Sequence, residues 1–382
     1  MSAPPKLKVE PFPHVDLRHM LLLTDETGIL QHAVYATPDL DHGYCTDDVS
    51  RAAMAAVMAL NLRQEEMEDD GAPPADSNDQ LLVALQRYLA FLGYAFNSDT
   101  GRFRNFMGYD RQWLEEVGSE ESHARTVWAM GMTVRLAPNE SIRGPSEQLL
   151  RDALPGLEQL KHIRPWAYGL LGMDECLKVD PDHSLAVRLF ASDADRLFGV
   201  WQNHAEDDWP WWEDRLTWGN AKLPHALLVA GVRLRRDDMI EAGLKSVRWL
   251  LEIQTANDGH LSIIGNKGWF IRNEARARFD QQPIDAHALV QACLAAAQLT
   301  GDKCWAEEAV RCFEWFRGHN DVGVVMYDAE TGGCQNGLMP DGANPNQGAE
   351  STLAYVLSVL DMHHYRQMHE TGVEAGSSRS RP

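Results

Sequence analysis

Six segments of the chain are apolar or rich in small residues all round a helix, and each opens just after a polar or proline-containing loop. They cover residues 47–60, 121–134, 165–177, 219–234, 283–299 and 348–362. A helix without a polar face must be surrounded by protein. We therefore expect these six segments to be inner helices.

The stretches between them have one apolar stripe and a charged opposite face, which is typical of helices that cover a core. In residues 237–254, for example, Ile240, Leu244, Val247 and Leu251 recur at helical spacing. The other runs of this kind cover about 16–24, 79–96, 146–162, 184–204 and 305–316. The sequence thus predicts six outer helices that alternate with the inner ones.

Such an alternation predicts an all-α fold, an (α/α)6 barrel in which two concentric rings of helices close on themselves. An open helical solenoid is the alternative, but its repeats would be shorter and more regular than inner segments that start 44 to 74 residues apart. We expect one domain over 16–364, preceded by an arm at 1–15. An acidic linker at 65–79 lies within it, and a flexible tail at 365–382 follows it.

Long loops lead from the outer helices into the next inner ones. They cover residues 97–113, 203–218, 257–270 and 320–338, begin with Asn, Asp and Gly, and continue in short β-like stretches. Because the two kinds of helix alternate, these loops emerge on one rim. The first turns of the inner helices face the same mouth.

Acidic side chains cluster in those first turns. Asp48, Glu121, Asp285 and Glu350 come from four separate repeats and converge on one concavity. An acid at this position also caps backbone N–H groups and complements the helix dipole, so that role stays open for each residue. Glycoside hydrolysis needs two carboxyl groups, one protonated and one ionised. These four residues are our catalytic candidates.

Aromatic and hydrogen-bonding side chains surround the same helix starts. Sugars present flat C–H faces that stack on aromatic rings, although packing of the loop aromatics on one another is the alternative. Histidines titrate near neutrality and are candidates for acid–base work, against a purely structural hydrogen bond. The predicted sugar-binding residues are Asp47, Arg51, Tyr109, His123, Arg125, Trp211, Trp212, Trp218, Asn220, Trp269, Gln281, Gln282, His287, Asn346 and Gln347.

Charge and composition limit the kinds of molecule that we expect the protein to bind. The 382 residues carry a formal net charge of −21, which repels nucleic acids and anionic membranes but not a neutral sugar. The N-terminal residues form no apolar signal segment and no membrane span is present, so we expect a cytoplasmic protein. No metal or nucleotide motif occurs, and we predict neither metal nor cofactor. The sequence is compatible with an oligomer but does not indicate one.

Four sequence segments are similar to those of a known protein family. They are LTDETGILQHA, GYCTDDVSRA, FDQQPIDAHALVQACLAAAQLTGD and NPNQGAESTLAYVLSVL. They resemble a bacterial family of (α/α)6 proteins that occur alone or fused to a retaining glycosyltransferase domain, and the resemblance spans about residues 17–362. Similar genes lie beside mannoside phosphorylases, which implies a mannose-containing glycan. More distantly, the architecture is similar to that of inverting (α/α)6 glycosidases and N-acylglucosamine 2-epimerases.

The sequence is consistent with three functions. The leading hypothesis is a glycoside hydrolase that acts on a short mannose- or glucose-containing oligosaccharide through two of the four candidate acids. The first alternative is a sugar epimerase or isomerase in which histidines such as His123 and His287 move a proton beside a carbonyl. The second is a non-catalytic glycan-binding partner of a glycosyltransferase.

Overall fold

Twelve α-helices account for most of the fold in the part of the chain that the structure describes. The computed structural model describes the backbone of residues 5–70 and 75–377, and the side chains of 5–65 and 78–368. In chain order the helices are α1 (Arg18–Leu22), α2 (Thr46–Asp70), α3 (Ala75–Ala95), α4 (Glu120–Leu136), α5 (Glu140–Ala153), α6 (Ile163–Val179), α7 (Ser184–His204), α8 (Lys222–Leu234), α9 (Asp237–Ile253), α10 (Pro283–Thr300), α11 (Lys303–Glu314) and α12 (Ala349–Ser377).

The even-numbered helices form a closed inner ring. Each packs against the next, from α2 through α4, α6, α8 and α10 to α12, and α12 returns to α2. The odd-numbered helices pack outside against the inner ring; α7, for example, contacts both α6 and α8, and the five-residue α1 packs on α12. This arrangement confirms the predicted (α/α)6 barrel over the open solenoid.

Burial explains why the inner helices lack a polar face. In α10 fourteen of the eighteen residues are buried, because its neighbours are α8, α11 and α12. Small residues allow the helices to approach closely. A Cβ atom at Gly172 of α6 would lie 2.8 Å from the Cα of Trp128 of α4, so that glycine is required where these two helices meet.

The loops contain short antiparallel sheets, as predicted. The strands are β1 (Leu30–Val34), β2 (Thr37–Cys45), β3 (Phe96–Asn97), β4 (Arg102–Phe103), β5 (Phe106–Met107), β6 (Arg215–Leu216), β7 (Phe270–Ile271), β8 (Gly337–Met339) and β9 (Gly342–Asn344). They pair as β1–β2–β5, β3–β4, β6–β7 and β8–β9. The β1–β2 hairpin is an element that the sequence analysis did not identify.

The structure adds detail at the three predicted boundary segments. Helices α2 and α3 continue into the predicted linker at 65–79, of which residues 71–74 lie outside the described part. Helix α12 continues to Ser377, well into the predicted tail at 365–382, whose last five residues are also outside it. The N-terminal arm, described from Pro5, lies against α12: the hydroxyl of Tyr365 donates to the Pro5 carbonyl at 2.8 Å. Within the described ranges no helix is both long and apolar enough to cross a membrane.

Candidate active site

One arginine forms ion pairs with three carboxylates near the N-terminal ends of α2 and α12. The side chain of Arg51, in the second turn of α2, is only 6% exposed. Its Nη1 lies 2.7 Å from Asp48, and its Nη2 lies 3.0 Å from Asp47 and 2.9 Å from Glu350 of α12. The guanidinium therefore binds acids from two adjacent inner helices, and these four predicted residues come together as the sequence led us to expect.

A second guanidinium extends the cluster across α4 and α6. Nη1 of Arg125 lies 2.6 Å from Asp47 Oδ2, and its guanidinium carbon lies 4.3 Å from the centre of the Tyr168 ring. Asp47 is thus held by two cations, while its Oδ1 is buried with no hydrogen-bond partner among the described residues. This pairing keeps the charges of the mouth in fixed positions.

Asp285 lies near these acids in the first turn of α10. Its Oδ1 accepts a hydrogen bond of 2.8 Å from the backbone N–H of Gly219, and its buried Oδ2 has no partner among the described residues. Burial raises the pKa of Asp285 to about 7; the Gly219 bond opposes this change and the charge of Glu350 adds to it. Near neutral pH a large fraction of Asp285 is therefore protonated.

The acids of the cluster differ in their surroundings. Burial also raises the pKa of Asp48 to about 7, against the opposing charge of Arg51. The side chain of Glu350, by contrast, is 47% exposed and ion-paired with Arg51. Asp285 and Asp48 are buried, whereas Glu350 is half exposed, and all three lie at the same end of the inner ring. A buried acid with a raised pKa near a more exposed carboxyl group is an arrangement found in acid–base pairs.

Glu121 is the candidate acid that the structure does not connect to this cluster. It is half-buried in the first turn of α4, which Ser119 caps, and its charge acts on Arg102 of the β3–β4 hairpin. No ion pair between described residues links it to Arg51 or Arg125. The structure brings together three of the four candidate acids.

Arg164, which the sequence analysis did not single out, organises the loop before α8. Its guanidinium donates to the Trp218 carbonyl at 2.9 Å, to the Thr217 hydroxyl at 2.7 Å and to Glu213 at 3.0 Å. Predicted Asn220 closes the same loop, because its amide exchanges two hydrogen bonds with the backbone of Thr217. Half-buried Trp218 is thereby fixed beside the start of α8.

The prediction that Trp211 and Trp212 stack on sugars is wrong. Their exposed fractions are 0% and 1%, which leaves no ring face for a ligand. Trp211 packs edge-on against Trp212 at 5.1 Å and beside Trp249 of α9 at 5.7 Å. The indole N–H of Trp212 donates to the Leu197 carbonyl of α7. The loop folds inward between two outer helices, so these rings are core.

Two other predicted aromatic residues keep accessible surface. Tyr109 is 49% exposed and stacks on Tyr44 at 6.3 Å. Trp269 is partly exposed in the loop that ends in β7, where its backbone adopts a positive φ of 61°. Together with Trp218, they are the predicted rings with surface available to a ligand.

The structure places His123 away from the mouth. It is fully buried against Phe103 of β4, with 5.3 Å between ring centres, and against Gly156 beyond α5. Burial lowers the pKa of His123 to about 3, and a backbone hydrogen bond with Ala153 of α5 opposes this change. It faces the outer layer and holds no position from which it could reach a ligand in the mouth.

The predicted glutamines before α10 are bound to the protein. Gln281 is fully buried; it donates to Asp321 at 2.5 Å and accepts from the indole of Trp315 at 2.8 Å. Gln282 donates to Asp280 at 2.9 Å. Gln281 has no surface for a sugar, whereas Gln282 is half-buried and its predicted role in sugar binding stays a prediction.

The predicted amides before α12 also bind the protein. The side-chain oxygen of Asn346 accepts from the N–H of Tyr35, and the N–H of Gln347 donates to the Tyr35 carbonyl. The amide of buried Gln347 donates in turn to Asp328 at 3.0 Å. These bonds fasten the β1–β2 hairpin to the start of α12, next to Glu350.

A polar layer crosses the ring below the acid cluster. His287 Nε2 lies 2.9 Å from Asp361, which also accepts from Gln291 at 2.7 Å. Nζ of Lys222 reaches Gln291 and lies 4.9 Å from the centre of the Trp128 ring. Burial lowers the pKa of Lys222 to about 7 and that of His287 to about 4. Of this layer the sequence analysis found only His287; polar residues inside otherwise apolar helices were the signal for the others.

Comparisons with known proteins establish the fold class. Neither a family model nor a curated protein sequence matches the chain. A cellobiose 2-epimerase from Bacillus thermoamylovorans is similar with a TM-score of 0.68 and 13% identity, over 92% of this chain and 96% of that one. A sugar epimerase from a ruminal bacterium has a TM-score of 0.67 and 13% identity, over 92% and 95%. An α-1,6-mannanase from a Salegentibacter species has a TM-score of 0.56 and 10% identity, over 91% and 96%. At these identities the likeness shows an (α/α)6 fold that carbohydrate-active enzymes of two reaction types share.

Proposed function

We propose that the protein is a glycoside hydrolase whose reacting groups are Asp285 and Glu350. The observation that carries this proposal is the contrast between the two acids at one mouth. Asp285 is buried, with a raised pKa and one oxygen without a partner, whereas Glu350 is half exposed and ion-paired. Hydrolysis of a glycosidic bond requires one protonated and one ionised carboxyl group.

The contacts support a different role for each acid. The Gly219 N–H holds Oδ1 of Asp285, so the proton resides on Oδ2 and passes to the glycosidic oxygen as the bond to the anomeric carbon breaks. Because Oδ2 is buried, this step requires substrate binding to open access to that oxygen. Glu350, oriented by Arg51, then takes a proton from the attacking water or itself attacks the anomeric carbon. Water supplies the hydroxyl of the new reducing end in either case.

The remaining residues of the cluster position these groups. Asp48 and Asp47 hold the guanidinium of Arg51, and Arg125 holds Asp47 from the other side. Because Arg51 forms an ion pair with Glu350, the orientation of the reacting carboxylate depends on Asp47 and Asp48, which do not touch the substrate. Preorganised charges of this kind need no rearrangement during the reaction.

The substrate we propose is a short oligosaccharide that contains mannose or glucose. Tyr109, Trp218 and Trp269 offer aromatic surface for sugar rings. The net charge of −21 favours a neutral ligand over an anionic one. Proteins of similar fold are named as acting on such sugars: a cellobiose epimerase, a D-mannose isomerase and an α-1,6-mannanase.

The test compares isosteric amides at the candidate acids. We expect Asp285→Asn and Glu350→Gln each to lower kcat on manno- or gluco-oligosaccharides by about 10²- to 10⁴-fold, the usual contribution of a positioned acid or base. Glu241→Gln, on the exposed face of α9, is the matched control. Glu121→Gln should also stay active. Full activity of either amide variant at the mouth would contradict the assignment.

A sugar epimerase is the second candidate, and the polar layer favours it. His287 is bonded to Asp361 inside the ring, and Lys222, with its pKa near 7, lies in the same layer. Such groups can move a proton at a carbon beside a carbonyl. An epimerase would incorporate solvent deuterium into the sugar skeleton and lose this exchange in His287→Gln. Hydrolysis without exchange excludes this candidate.

A further inference from the structure

The ring contains a cavity at the end away from the acid cluster. Its volume is about 370 Å³, within the range of about 300–1,000 Å³ of small-molecule sites. All six inner helices line it, chiefly with residues beyond their first turns, such as Leu171 of α6 and Leu294 of α10. Lys222 lies between the two regions, since it interacts electrostatically with Arg51 and Arg125 on one side and with Asp361 on the other.

Much of the cavity wall is apolar. The aliphatic side chains come from all six inner helices, and Trp128 of α4 adds an indole. They include Met58, Leu62, Met132, Leu171, Val229, Leu294 and Leu360. A wall of this composition fits a ligand with a substantial C–H surface, because transfer of that surface from water is favourable.

The acidic groups on the wall already have partners. Asp174 lies 2.6 Å from Arg233 and 2.9 Å from Lys178. Glu175 pairs with Lys178 at 2.7 Å and with Arg135. The third acid on the wall, Asp361, is bound by His287 and Gln291. A charged ligand would have to displace one of these ion-pair or hydrogen-bond partners, which is costly. A neutral ligand leaves all of them in place.

One polar group on the wall lacks a partner. Nδ1 of His225 is buried and makes no hydrogen bond to any described residue. Burial holds the pKa of His225 well below its usual value, and the nearby charge of Lys222 acts in the same direction. The imidazole is therefore neutral, with one nitrogen that donates and one that accepts. A hydroxyl group matches either nitrogen, because it both donates and accepts.

We propose that this cavity is a binding site for a small, neutral polyhydroxylated molecule of monosaccharide size, with a C–H face on Trp128 and a hydroxyl on His225. The site is separate from the mouth and does not depend on the chemistry proposed there. It is a second sugar site, at the opposite end of the ring axis.

Calorimetric titration with D-mannose and D-glucose tests the proposal. We expect one of them to bind wild-type protein, and D-glucosamine and D-glucuronate to bind about ten-fold more weakly or not at all. Val229→Trp fills the cavity and should weaken binding by about ten-fold or more. Val187→Trp is the matched control, because Val187 is 47% exposed on outer helix α7. Asp285→Asn, at the mouth, should bind like wild type.

Several outcomes would overturn this inference. They are the absence of binding of both neutral sugars to wild type, unchanged affinity in folded Val229→Trp, and loss of binding in Asp285→Asn. The last result would place the only sugar site at the mouth. If circular dichroism shows that Val229→Trp does not fold, His225→Leu replaces it; this change keeps the volume similar and removes the hydrogen-bonding nitrogen, so unchanged affinity would again refute the proposal.

Discussion

The buried acid Asp285 should destabilise the fold as the pH rises, and Asp285→Asn isolates that effect. Asp285 is 5% exposed, and burial raises its pKa from 3.8 to about 7. Between these values the folded protein binds more protons at this site than the unfolded chain, so stability falls with increasing pH and is constant above about 7. Asparagine preserves the shape and the acceptor for Gly219 but cannot ionise.

The magnitude follows from the pH interval. At pH 5 the folded wild type is protonated at Asp285 and resembles the amide variant, whereas at pH 8 it buries a full charge. The two pH units between 5 and 7, at about 1.4 kcal/mol each, give about 3 kcal/mol. We therefore expect the free energy of unfolding of Asp285→Asn, relative to wild type, to rise by about 3 kcal/mol between pH 5 and pH 8.

Urea unfolding of both proteins at the two pH values measures this difference, in which groups common to both proteins cancel. Glu241→Gln, which replaces an exposed carboxylate on α9, is the control variant and is unfolded under the same conditions. An equal stability difference at pH 5 and pH 8, or a larger deficit of the variant at pH 8, would refute the reasoning that burial controls the protonation of Asp285.

Four further predictions follow from the same contacts. Arg51→Met removes the cation that three acids share and should lower the free energy of unfolding by about 3–5 kcal/mol, measured with urea at pH 8. Gly172→Ala inserts a methyl group 2.8 Å from the Trp128 backbone and should cost about 1–3 kcal/mol; a melting temperature equal to that of wild type would contradict the close helix crossing. Trp211→Ala should lower the free energy of unfolding by about 3–5 kcal/mol while KM for an oligosaccharide stays unchanged. A raised KM would instead support the predicted stacking of Trp211 on sugars. Because the proposed mechanism makes Asp285 the general acid, kcat/KM should fall as the pH rises through about 7, and this limb should be absent from the residual activity of Asp285→Asn.

The inner ring could be predicted because its signal is periodic and local. A helix such as α10, which is apolar on every side, is stable in water only where other helices surround it. The first turns of those helices then share a rim, so the meeting of Asp48, Asp285 and Glu350 followed from topology alone. No information on side-chain contacts was needed.

The direction of individual side chains was not predictable in the same way. His123 belongs to a helix with apolar neighbours on every side, so nothing in the pattern shows that it faces Phe103 and the outer layer. Trp211 and Trp212 occur among acidic residues, which is typical of an exposed loop, but Trp249 and Leu197 from distant helices provide the core that covers them. Long-range packing decides both cases, and local sequence does not encode it.

The central claim is that the mouth breaks a glycosidic bond with Asp285 and Glu350. Proton NMR of wild-type protein with short manno- and gluco-oligosaccharides in D2O tests it in a single time course. We predict new reducing-end anomeric signals from one of these substrates, with no deuterium at any sugar carbon, and no new signals with Asp285→Asn. Deuterium at the carbon beside the carbonyl of an intact sugar, or no change in any oligosaccharide, would contradict the claim.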